Sequence, residues 1–150
     1  RTLAKVLLPF TRSVLLAKRE LQDLETGGKT PLSLGLQKAL ELIGNKLRKD
    51  PDTIPILILI SDGRANVGGI VRDNPVEDAI YLARKIADEK VRSVVIDTEQ
   101  GFVKLGLAMQ IAQNLGAKYY KVEDLKKESI EKIAHENVEF SINNIEIVED

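Results

Sequence analysis

A chain of 150 residues with 43% hydrophobic content is long enough to bury one compact core. Twenty-two basic against twenty-three acidic residues leave a net charge of -1, which excludes an overall field drawing the chain to nucleic acid or to an anionic membrane. The absence of cysteine removes disulfides, thiolate nucleophiles and Cys-ligated zinc, and the single His135 excludes a multi-histidine metal cluster.

No apolar run approaches the roughly 20 residues of a membrane span and no signal-peptide pattern opens the sequence, so a cytoplasmic location is expected. The chain starts at Arg1 rather than methionine, close to strand-like sequence, and reads as a fragment.

In chain order, Leu3 to Pro9 predicts a short strand that Pro9 ends or confines to an edge. Val14, Leu15, Ala17, Leu21 and Leu24 predict a short helix from Arg12 to Leu24. Gly27-Gly28 marks a loop, and Thr30-Pro31 has the order of an N-cap followed by proline at the first helical position. The stripe Leu32, Leu36, Ala39, Leu40, Ile43 and Leu47 then predicts a helix to about Arg48.

Ile54 to Ile60 is an unbroken aliphatic run, the pattern of a strand buried on both faces at the centre of a parallel sheet. It ends in the polar turn Ser61-Asp62-Gly63-Arg64-Ala65-Asn66. Asn74 with Glu77 predicts a capped helix to about Lys90, with Val76, Ala79, Ile80, Ala83, Ile86 and Ala87 facing the core. Val91 to Asp97 reads as a second parallel strand ending in Asp97-Thr98-Glu99. Leu105, Ala108, Ile111, Ala112 and Leu115 predict a helix closed by Gly116, followed by a strand from Ala117 to Val122 and a helix from Leu125 to about His135. Residues 1–135 therefore form one α/β domain, a Rossmann-like, mostly parallel sheet with helices on both faces. Residues 136–150 have strand-like spacing and read as a tail, an edge strand or a link.

Ligands of open α/β sheets sit outside the carboxyl ends of the strands, which makes Asp62 the first candidate for chemistry. A strand-end Asp also opens turns by accepting backbone hydrogen bonds, and Thr30 has an N-cap role of its own. Asp97, Thr98 and Glu99 share the strand-end position and read equally well as a solvated turn. No phosphate loop, dinucleotide fingerprint or nucleophile elbow is present, so the chain by itself does not read as an enzyme. The alternative from another class is a Mg²⁺-dependent enzyme or phosphoacceptor using Asp62, and a third reading is a fold without a working site.

Gly27-Gly28-Lys29-Thr30-Pro31-Leu32 with Gly35-Leu36, followed by Ser61-Asp62-Gly63-Arg64-Ala65-Asn66, resembles the von Willebrand factor A domain, in the version found at the C-terminus of the magnesium chelatase D subunit. Leu7-Leu8-Pro9-Phe10-Thr11-Arg12-Ser13 and Val95-Ile96-Asp97-Thr98-Glu99 also look like that subfamily. The resemblance implies a metal-ion-dependent adhesion site. Thr30 and Asp62 match its Mg²⁺ ligands, and Gly28, Ser61, Gly63, Arg64, Asn66 and Asp97 form the rim or partner-binding surface. Its first loop, Asp-x-Ser-x-Ser, has no match here and is expected upstream of Arg1, as is the strand beside Ile56 to Ile60.

Two consequences are expected. Mg²⁺ binds this chain weakly or not at all, because one carboxylate and one hydroxyl leave most of an octahedral shell to water. The central strand is left with an exposed apolar edge that favours self-association. The implied partner is a protein offering Asp or Glu to the metal, an AAA+ ATPase subunit of a complex that inserts metal into a porphyrin.

Overall fold

The computed structural model describes residues 15, 16, 19, 32–63, 74–100, 105–122 and 144–149. Leu15, Leu16 and Arg19 are helical, inside the segment expected as the first helix. The predicted strand at Leu3–Pro9, the Gly27-Gly28 loop and the helix ending at His135 lie outside the described residues.

Helix α1, Leu32–Lys49, buries Leu32, Leu36, Ala39 and Ile43 along the predicted stripe. Lys46, Arg48 and Lys49 in its last turn complement the negative end of the helix dipole. Strand β1, Pro55–Ser61, is the aliphatic run, with every residue buried except the partly exposed Ile60. Helix α2, Pro75–Asp88, begins where the Asn74 side chain accepts hydrogen bonds from the backbone N–H groups of Val76 at 2.9 Å and Glu77 at 3.4 Å. Strand β2 is Arg92–Asp97 and helix α3 is Leu107–Leu115. Gly116, at φ 65°, closes α3, with its N–H donating to the Gln113 carbonyl and that of Ala117 to the Ala112 carbonyl, a Schellman arrangement. Strand β3 is Lys118–Lys121 and β4 is Asn144–Glu149.

The four strands among the described residues are parallel, in the order β3-β2-β1-β4. In β1 and β2, Leu57 pairs with Ser93, Leu59 with Val95 and Ser61 with Asp97, so these residues share one face. On that face Leu57, Leu59 and Val95 join the cores of α1, α2 and α3 in one cluster. Ile56, Ile58, Val94 and Ile96 alternate to the other face and are equally buried. Burying one such aliphatic side chain contributes roughly 1.5–3 kcal/mol, which makes the β1–β2 pair the stable centre of the molecule.

The expected Rossmann-like α/β arrangement is observed, and among the described residues α1, α2 and α3 cover one face of the sheet. Two expectations are corrected. The exposed edge expected on the central strand is occupied, since β4 pairs with β1 from Pro55↔Asn144 to Ile60↔Glu149. Val76 and Leu105, predicted to face the core, are 38% and 63% exposed, because both lie at the entrances of their helices, ahead of the turns that cover the sheet. Leu82 takes the core position instead, and Asp78 is fully buried on α2.

Candidate ligand crevice at the carboxyl end of the sheet

The chain reverses its direction of travel across the sheet between β1 and β4, so the topological switch point lies at the carboxyl ends of those two strands. Two short polar segments leave the sheet here, Ser61-Asp62-Gly63 after β1 and Asp97-Thr98-Glu99 after β2. They are tied together by the Thr98 backbone N–H, which donates to the Ser61 carbonyl at 2.9 Å.

Ser61 is almost wholly buried, and its hydroxyl accepts the Gly63 N–H at 2.9 Å. This side-chain turn bends the backbone sharply at the strand end. Gly63 is required by two independent constraints. Its φ is 72°, in the left-handed region, and a Cβ there would lie 3.2 Å from the Ala108 backbone nitrogen. Asp62 sits between these two buried residues and is itself only partly buried, at the carboxyl end of the sheet.

The neighbouring segment is built differently. Asp97 is 6% exposed; its Oδ1 accepts the Glu99 N–H at 2.8 Å and its Oδ2 accepts the Tyr119 hydroxyl. Glu99 is 7% exposed, with Oε1 accepting the Leu105 N–H at 2.6 Å and Oε2 the Gly106 N–H at 3.4 Å. The reading of this segment as a solvated turn is therefore corrected: both acids are turned inward onto hydrogen-bond donors. A buried carboxylate satisfied by backbone amides leaves no trace in composition, and Tyr119 read only as a strand residue.

Of the residues singled out in the sequence, Ser61, Asp62, Gly63 and Asp97 are brought together here, while Thr30, Gly28, Arg64 and Asn66 lie outside the described residues. Among the described residues there is no group of three or more His, Asp or Glu able to hold a metal ion, and no helix long and apolar enough to cross a membrane. The Asp62 carboxylate and the Ser61 hydroxyl are hard oxygen donors, the chemistry that suits Mg²⁺.

An open parallel sheet whose elbow carries an acid at the switch point places the chain in the Rossmann-like α/β class. It is 44% identical over 128 residues to the uncharacterized protein MJ0910 of Methanocaldococcus jannaschii, covering 85% of this chain and 72% of that protein. The chain belongs to the same family as MJ0910. It is also 33% identical over 141 residues to the magnesium-chelatase 67 kDa subunit of Chlorobaculum parvum, covering 87% of this chain and 23% of the subunit. With the magnesium-chelatase 60 kDa subunit of Cereibacter sphaeroides it shares 41% identity over 98 residues, 63% of this chain and 17% of the subunit. The chain thus spans less than a quarter of either chelatase subunit. No family model matches the chain, and no solved structure matches it significantly.

Proposed function

We propose that this chain is a von Willebrand factor A-type interaction module of a chelatase-like complex, working in the cytoplasm, in which Asp62 contributes to a Mg²⁺ adhesion site that receives an acidic side chain from a protein partner. The observation that carries the reading is the Ser61-Asp62-Gly63 elbow at the switch point, a rigid base holding one partly exposed carboxylate at the expected ligand crevice. The likeness to magnesium-chelatase subunits supports a place in a multi-subunit assembly. Thr30 is the proposed second ligand, with Gly28, Arg64 and Asn66 on the rim, and an AAA+ ATPase subunit is the proposed partner. When bound, Mg²⁺ supplies a positive centre on which the two proteins' oxygens converge. This chain's own residues hold Asp62 in place and keep the strand end closed to solvent beneath it.

The test is a thermal melt with and without Mg²⁺, on this chain and on a form extended upstream to carry the Asp-x-Ser-x-Ser loop. A ligand at one hundred times its Kd adds about 2.7 kcal/mol to the folded state, a rise of several degrees in Tm for a domain of this size. The extended form is expected to show that rise and Asp62→Ala to abolish it. Equal partner binding by the extended form in chelator and in Mg²⁺ would refute metal-dependent adhesion.

A further inference from the structure

Glu99 departs from β2 at the crevice, yet its carboxylate serves neither solvent nor an open rim. Its two oxygens accept the backbone N–H groups of Leu105 and Gly106, the residues that lead into α3. Gly106 is the N-cap of α3, has φ 70° and makes no side-chain capping bond, so Glu99 supplies from a distance the negative group that this helix end lacks locally. The bond from Glu99 also joins the two ends of the segment 99–105.

Gly63 packs against the same helix end. A Cβ on Gly63 would meet the Ala108 nitrogen at 3.2 Å and the Leu107 Cβ at 3.7 Å, so the first turn of α3 is seated directly against the elbow that presents Asp62. Glu99 is itself fixed, since its own N–H is held by Asp97, whose second oxygen is held by Tyr119 of β3. A continuous chain of contacts therefore runs from β3 through Asp97 and Glu99 to the start of α3, and from there to Gly63 and Asp62.

We infer that Glu99 is a positioning residue: its carboxylate holds the entrance of α3 against Gly63 and so fixes where Asp62 stands. The functional meaning of this coupling rests on the proposed role of Asp62; the coupling itself does not. It is a property of the protein without metal.

The experiment compares backbone amide signals and hydrogen exchange in the full 150-residue chain, as wild type, Glu99→Ala and Glu99→Gln. In Glu99→Ala the Leu105 and Gly106 amides lose protection, and those of Asp62 and Gly63, in a different loop, shift and exchange faster by about tenfold, while Leu57 and Ile111 in the core are unchanged. Glu99→Gln keeps one acceptor oxygen and is expected to shift the Asp62 and Gly63 signals in the same direction by a smaller amount; if Glu99→Ala fails to fold, that smaller shift with an unchanged core carries the same conclusion, and its absence overturns it. Loss of protection confined to Leu105 and Gly106, with Asp62 and Gly63 as in wild type, would overturn the inference. A Mg²⁺ titration of the wild type read at the same amides is a separate arm. Silence there counts against the metal reading of Asp62, while the amide comparison still decides the coupling.

Discussion

Gly63 shows how narrowly the elbow is defined. A methyl group at this position meets two separate penalties, a left-handed backbone and a contact with the Ala108 nitrogen tighter than ordinary packing. Gly63→Ala is expected to cost about 1–2 kcal/mol from the backbone alone, and more if α3 has to shift, measured as a lower midpoint in urea unfolding. Asp62→Ala at the neighbouring position leaves the left-handed glycine and its packing against α3 in place, so it is expected to lower the unfolding midpoint less than Gly63→Ala does. The pair of variants separates the geometry of the elbow from its chemistry. Asp62 was legible in the sequence because a polar turn closing an apolar run marks a strand end. The inward roles of Asp97 and Glu99 were not, because burial of an acid depends on amides brought in from Leu105 and Gly106, and no local pattern announces them.

Helix boundaries and faces follow local chemistry closely where a cap or stripe defines them. Asn74 capping α2 and Gly116 closing α3 are both read directly from residue type and position. Asn74→Ala is expected to cost about 1 kcal/mol, seen as a drop of several degrees in Tm by circular dichroism, since it frees two amides at the start of α2. Leu57→Ala, in the middle of β1 and wholly buried, belongs to a more severe class, about 2–5 kcal/mol, checked by chemical denaturation. Periodicity failed at the helix entrances. Val76 and Leu105 match the spacing of their stripes but stand exposed at the entrances of their helices, and a stripe alone does not say how far the covered surface extends.

The strand order of the sheet was partly legible. Two βα crossovers in sequence imply neighbours β1, β2 and β3, because each crossover joins adjacent parallel strands. The placement of β4 was not, since a short alternating segment carries no sign of which distant strand it will join, and the unpaired edge expected on β1 is where it lies. Deleting residues 144–150 is expected to uncover an aliphatic edge on β1 and to make the mass seen in light scattering rise with concentration more steeply than that of the intact chain.

The parallel pairing of β1 with β4 has a kinetic consequence. β4 follows every other described element in the sequence, so the bonds along that side of β1 close the largest chain loop in the sheet and form against the greatest entropy. During synthesis the β1-α2-β2-α3-β3 run is available to condense from local contacts while the side of β1 meant for β4 still waits for its partner. That interval exposes the most apolar of the described strands at the time when other nascent chains are nearest, which favours aggregation over refolding as concentration rises.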